Sequence, residues 1–292
     1  MEFWTKSGEE LIHKTHSESK KVFDSIRDEK FEGYIAHKRL AYIWNDTNKL
    51  FQKLLHLRLG ERKNINILEI GSFIGQGIKF FVSSTESIGL KPHVDSIDLM
   101  YPYLEEGSDV NYGAQSYHLL RNTEKERMAH KVNLHTGRSR DILPYLSKEF
   151  DFAYVDGEHT SGGVFLDLVL TLNRCGKGSV ILVDDMSWYD LKFVGNGVKV
   201  FMSLYGKHLE EIYVKGSKGN EWGLFKVSGW NDLKGYKVEQ IMFVVKDKSD
   251  VSLERVISEI HSHKLHLNPV VNPEEKHKGG SRRTRRKIKK IN

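Results

Sequence analysis

Two short apolar runs stop abruptly on carboxylates, and they constrain this 292-residue chain more than any other feature. The first is Phe150-Asp-Phe-Ala-Tyr-Val-Asp-Gly-Glu-His-Thr160; the second is Ser179-Val-Ile-Leu-Val-Asp-Asp-Met186. Each has the length and near-continuous apolarity of a buried parallel strand. Between them, Gly162 to Arg174 is helix-length, with Val164, Leu166, Leu168, Val169 and Leu172 as its apolar face. A strand–helix–strand unit crosses over right-handed and leaves both strand ends on one edge of the sheet. If the strands are neighbours, about 4.8 Å apart, Asp156, Asp184 and Asp185 converge at the carboxyl edge, where open α/β sheets place their ligands. Three carboxylates in one place call for a cation. The alternative, that they cap helices or that Asp156 touches only a cofactor, stays open at this point.

Strand and helix patterns alternate from Asn64 onward. Ile65–Ile70 reads as a buried strand, and His93–Leu99 and Val132–Thr136 as second and third strands, ahead of the two that end at Asp156 and Asp184. Helices are predicted after the first strand, through Val82, and from Ser139 to Leu146. Glu211–Val214 and Glu221–Val227 read as an antiparallel pair joined by Lys215-Gly-Ser-Lys-Gly-Asn220. Lys237–Lys246 reads as a further strand and Val251–His263 as a helix. The resulting expectation is a doubly wound, Rossmann-like α/β fold with a mostly parallel seven-stranded sheet and an antiparallel edge. Residues 1–62 form a helical N-terminal segment in this reading, in which Leu40, Ile43, Trp44, Leu50, Phe51, Leu54 and Leu55 share one face and Gly60 is the stop. Residues 63–228 form the main domain, 229–273 a small C-terminal α/β extension, and 274–292 a basic tail.

Ile67-Leu-Glu-Ile-Gly-Ser-Phe-Ile-Gly-Gln-Gly77 is a strand running into a glycine turn and then a helix. Gly71 permits a tight turn, and Gly75 and Gly77 let the backbone approach a ligand. The spacing is G-x-x-x-G-x-G, not the G-x-G-x-x-G of pyrophosphate-binding dehydrogenases. Glu69, just ahead of the turn, suits an ammonium group and hence an amino-acid cofactor. Asp98, at the end of the second strand, fits a ribose-hydroxyl acceptor or a cap for the turn that follows it.

With these motifs in this order, residues 65–187 resemble the class I S-adenosylmethionine-dependent methyltransferases. More narrowly, the chain is similar to the metal-dependent catechol and caffeoyl-CoA O-methyltransferases and their sugar-methylating relatives. Leu68-Glu-Ile-Gly-Ser-Phe-Ile-Gly75 resembles the family's cofactor turn, and Val132 to Leu146 its third strand and adenine-binding helix start. The resemblance implies that Glu69, Gly71, Ser72, Gly75, Asp98, Gly137, Ser139 and Asp156 hold S-adenosylmethionine. It also implies that Asp156, Asp184 and Asp185 hold Mg²⁺, with Ca²⁺ or Mn²⁺ as alternatives. In the catechol enzymes a lysine three residues after the first metal aspartate is the general base. Here Asp156-Gly-Glu-His159 resembles the D-x-x-H of macrolide-sugar methyltransferases, which makes His159 the candidate base. Capping the next helix or lining the cleft is the plainer role for that histidine. Trp188 and Tyr189 are candidates for the acceptor wall, and the acceptor implied is a small hydroxylated molecule, a sugar or glycoside.

Charge divides the chain in two. The net charge is +6, but Lys276 to Lys290 contains nine Lys or Arg and no acidic residue, so the remainder carries −3. Like charges this dense usually remain disordered, and nucleic acid is a candidate partner for the Lys276–Lys290 tail. An RNA acceptor is therefore the second reading of function, although no N/D-P-P-Y motif follows the fourth strand. The tail also resembles the ends of some large DNA-virus proteins. The lone Cys175 excludes an internal disulfide and favours a reducing, cytoplasmic setting. No apolar run reaches the roughly 18 residues of a membrane span, and the charged N-terminus does not read as a signal peptide. Homo-oligomerisation stays open.

Overall fold

The computed structural model describes residues 63–100, 115–186, 193–246 and 253–263. The helical segment expected over 1–62, Trp188, Tyr189 and the basic tail lie outside the described residues. Five parallel strands come first: β1 (Asn64–Ile70), β2 (Lys91–Asp98), β3 (Val132–Thr136), β4 (Phe150–Val155) and β5 (Cys175–Val183). The helices between them are α1 (Gln76–Ser87), α2 (Gln115–Asn122), α3 (Glu124–Met128), α4 (Ser139–Ile142) and α5 (Ser161–Arg174). After β5 come α6 (Val194–Tyr205), β6 (Leu209–Lys218), β7 (Glu221–Val227), β8 (Tyr236–Val245) and α7 (Leu253–Ser262).

Strand alternation sorts the core into two layers. Leu68, Ala153, Val155, Ile181 and Val183 face α5 and α6, packing on Phe165, Leu168 and Phe201. Ile65, Ile67, Phe152, Tyr154 and Leu182 face the other way, onto Phe80 and Phe81 of α1. Helix α4 is shorter than expected and passes into a 3-10 turn over Leu143–Tyr145. Pro144, which has no N–H to give to an α-helical ladder, explains the change. Thr160 caps α5 by accepting the amide of Gly163 at 3.0 Å.

The strand order is β3-β2-β1-β4-β5-β8-β6-β7, eight strands where seven were expected. Strand β8 lies between β5 and β6 and is antiparallel to both, while β7 forms the outer edge. The strand placed by the sequence in a separate C-terminal extension is therefore an interior strand, and residue 229 is no boundary of the sheet. Its apolar run Ile241-Met-Phe-Val-Val245, buried on both faces, is the physical mark of that position. The hairpin of β6 and β7 is also longer than predicted, with Lys215–Lys218 belonging to β6. Among the described residues no helix is long and apolar enough to cross a membrane.

Candidate active site

Strands β1, β4 and β5 end side by side, and the residues that follow them form the site. Gly71 turns the chain out of β1 with φ 87°, and its amide donates to Ile97 O at 2.9 Å. A Cβ at Gly71 would lie 2.0 Å from the carbonyl oxygen of Asp156, so only glycine lets this turn run so close to the end of β4. Gly75 is used differently. A Cβ there would meet Thr123 Cγ2 at 2.6 Å, so the close approach it permits is to the α2–α3 junction.

Glu69 does not face open solvent. It is 1% exposed and accepts the Ser96 hydroxyl at 2.9 Å, and burial pushes its pKa up to about 8. Gly77, at the start of α1, leaves room for its carboxyl. Burial thus favours the protonated form of Glu69 behind the turn. Ser72 is buried with its hydroxyl against that of Ser96. Asp98 receives three backbone amides, from Ser72 at 2.8 Å, Phe73 at 3.1 Å and Met100 at 2.7 Å, and so clamps the glycine turn. Its carbonyl accepts the amide of Gly137 at 3.0 Å, drawing the loop after β3 to the same edge. In that loop the Ser139 hydroxyl donates inward, to Asp167 of α5. Burial raises the Asp167 carboxyl to about 7.

The acidic residues after β4 and β5 do not all converge. Asp156, His159 and Asp185 each bring one ligand atom within 4.8 Å of the others, the one such group among the described residues. His159 Nε2 stands 3.4 Å from Asp156 Oδ1 and 3.4 Å from Asp185 Oδ2. Asp184 lies outside that group but next to it, since the Tyr154 hydroxyl donates both to Asp184 and, at 3.4 Å, to Asp156 Oδ2. Asp184 Oδ2 accepts the hydroxyl of buried Tyr154, and its Oδ1 accepts the amide of Asp185 at 2.8 Å. Asp185 has a left-handed backbone, φ 54°. That conformation is costly for a residue with a Cβ, and it is held from both sides. The Asp184 amide donates to Val155 O at 3.1 Å and the Met186 amide to Glu239 O at 2.8 Å.

Crowding is visible in the electrostatics. Burial, with Asp184 nearby, pushes Asp156 up to about 6. Burial and the charges of Asp156 and Asp184 push Asp185 up to about 7. The Asp156 carboxylate in turn holds the His159 imidazole above its ordinary value, with Asp185 and Asp184 adding to the effect. The two carboxylates, in surplus negative field, form an oxygen donor pair that fits a divalent cation, with the imidazole beside them.

Three residues at the site were not singled out from the sequence. Tyr154 had a signal, since it lies two residues before Asp156 and strand alternation puts both on one face. Asp167 had one too, as a lone acid within an apolar helix. Ser96 had none, because a serine inside a strand carries no pattern of its own.

Residues 68–186 match the family described as a methyltransferase domain. No curated protein matches the chain. Among solved structures it is similar to an O-methyltransferase from Bacillus cereus in complex with S-adenosylhomocysteine, at 18% identity and TM-score 0.46 over 80% of this chain and 91% of that one. It is also similar to the O-methyltransferase TomG from Streptomyces achromogenes, at 19% identity and TM-score 0.44 over 80% and 89%. An rRNA methylase from Streptococcus thermophilus follows at 11% identity and TM-score 0.43 over 68% and 96%. Likenesses this distant carry no argument about the acceptor. The family match runs from the end of β1, through the glycine turn, to the residues just after β5, and so spans the elements that build the site.

Proposed function

We propose that the chain is a divalent-metal-dependent O-methyltransferase using S-adenosylmethionine, with a small hydroxylated acceptor, a sugar or glycoside. The observation that carries this reading is the convergence of Asp156, His159 and Asp185 beside the glycine turn. S-adenosylmethionine supplies an electrophilic methyl group on sulfur. The turn at Gly71–Gly75, Asp98 and the loop from Gly137 to Ser139 are the groups that would hold it. Asp156 and Asp185 would hold a divalent cation, which would make a nearby hydroxyl a better acid. His159 is exposed enough to meet an acceptor and takes the hydroxyl proton on Nε2 as the oxygen gains the methyl group. Asp184, fixed by Tyr154, orients the strand end beneath Asp185. Positioning carries much of the rate in such a transfer.

Calorimetric titration of Mg²⁺ or Mn²⁺ into protein saturated with S-adenosylhomocysteine tests the reading, beside an Asp185→Ala control. Saturable binding lost in the variant is the expected result. Binding of the cofactor product with no cation site, or with one indifferent to Asp185, sinks it. The second reading, an RNA acceptor, rests on the nine basic residues of Lys276–Lys290. Deleting the tail leaves turnover of a small acceptor intact, whereas an RNA enzyme loses affinity and salt dependence.

A further inference from the structure

Asp167 is the buried acid that the chemistry above leaves unused. It sits in the second turn of α5, 3% exposed, between Leu166 and Leu168 of the core. A buried carboxyl is costly unless it is hydrogen-bonded, and this one is bonded on two sides. It accepts the hydroxyl of Ser139, the first residue of α4, and the backbone amide of Glu158. Gly157 makes room for it, since a Cβ there would stand 3.1 Å from Asp167 Oδ2. Glu158 lies between Asp156 and His159, and Ser139 lies two residues after Gly137, whose amide is bonded to Asp98 O. One carboxyl thus fastens the loop after β3 to the loop after β4. No helix-packing requirement explains an acid there, because an apolar side chain fills such a place without needing donors.

We propose that Asp167 is a positioning residue that couples these two loops, so that a nucleoside cofactor at the first and a divalent cation at the second strengthen each other's binding. The inference rests on the function proposed above. It requires no contact between Asp167 and either ligand. Binding at one loop orders Ser139 or Glu158, the shared carboxyl orders the other, and the gain is reciprocal by linkage.

The test is calorimetry of S-adenosylhomocysteine with and without saturating Mn²⁺. It compares the wild-type chain with Asp167→Asn, Ser139→Ala, the double variant and Leu168→Ala. In the wild type Mn²⁺ tightens S-adenosylhomocysteine binding by about 5-fold or more. Asp167→Asn cannot accept both donors, so the enhancement falls to about one and binding without metal weakens ~10-fold. Ser139→Ala breaks the same link from the partly exposed end and serves if Asp167→Asn does not fold. The double variant is no worse than the more damaging single one. Leu168→Ala, next along the helix and fully buried, weakens α5 packing while keeping the enhancement. Full enhancement in Asp167→Asn overturns the proposal, as does an equal loss in Leu168→Ala. Wild-type protein that binds S-adenosylhomocysteine without any response to Mn²⁺ also overturns it. Failure of the wild type to bind S-adenosylhomocysteine at all overturns the methyltransferase reading itself.

Discussion

Two clusters of acidic and basic side chains sit on the same sheet and are finished in opposite ways. In the first, on β2 and β3, Asp95 is 1% exposed. His135 Nε2 stands 2.8 Å from its Oδ1, Asn133 donates to it at 3.1 Å, and the Lys148 ammonium pairs with its Oδ2. Burial alone would raise this carboxyl, but the bonds from His135, Lys148 and Asn133 outweigh it and hold the pKa below the ordinary value. In the second, at the ends of β4 and β5, burial and like charge win, and Asp156 and Asp185 are pushed up. The His159 ring answers both from 3.4 Å, and the Tyr154 hydroxyl reaches Asp156 at 3.4 Å, without offsetting the rise. The first cluster is electrostatically complete without help. The second keeps surplus negative charge, and that contrast marks it as the candidate site better than a count of acidic residues does.

The contrast can be broken at either end. The largest expected effect is from Asp95→Ala, which leaves Lys148 and His135 facing a buried void and costs ~3 kcal/mol. Urea denaturation reads it, and a loss under ~1 kcal/mol would show that the cluster is not what secures β2 to β3. Next comes Glu69→Gln, which sharpens the comparison through pH. The Glu69 pKa rises from 4.5 to about 8 on folding, so between those values the folded state binds more protons than the unfolded one. Stability therefore falls as pH rises through that window. Glu69→Gln should remove much of the fall seen between pH 5 and 8 in thermal melts; an unchanged slope would mean that the carboxyl is already charged. Asp185→Asn should do the reverse of Asp95→Ala. With chelator present at pH 8 it relieves like-charge crowding and stabilises by roughly 1 to 2 kcal/mol, while cation binding is lost. Destabilisation instead would mean the cluster is compensated from within. The smallest effect is that of Thr160→Ala, about 1 kcal/mol for a lost helix cap. Its threshold is a cation affinity that stays within about 2-fold of wild type, measured by the same titration.

The parallel half of the sheet was legible because β1, β4 and β5 carry apolar runs and four of its five strands run directly into a glycine or an acid. Periodicity finds such a run wherever it lies. The place of β8 was not legible, because sequence order does not say which strand enters between two others. The continuous burial of Ile241–Val245 was nonetheless a hint of an interior strand. At the site, the sequence assembled Asp156, Asp184 and Asp185 as one triad. Consecutive residues leave a strand on opposite faces, and the left-handed turn at Asp185 sends the pair Asp184 and Asp185 to different partners. Glu69 was expected to greet a charge; its burial against α1, which pushes its pKa up, follows from its place inside β1 and was not legible from its residue type. Asp167 was hidden by its own helix, where attention went to the leucines around it.

The position of β8 has a consequence for how the protein is made. As the chain leaves the ribosome, the first five strands emerge in an order that lets each find its neighbour within the preceding hundred or so residues. Strand β5 then waits with a bare edge of backbone donors and acceptors, because its partner is the last strand of the sheet. The β6–β7 hairpin can zip locally during that wait, yet it docks only when residues 236–245 arrive to join it to β5. An open apolar edge of this kind invites wrong partners. The same late strand supplies the Glu239 carbonyl that pins Met186 and, through it, the conformation of Asp185. A nascent chain halted before Tyr236 therefore has its glycine turn but not its finished acidic site, and the reactive end of the molecule is assembled last.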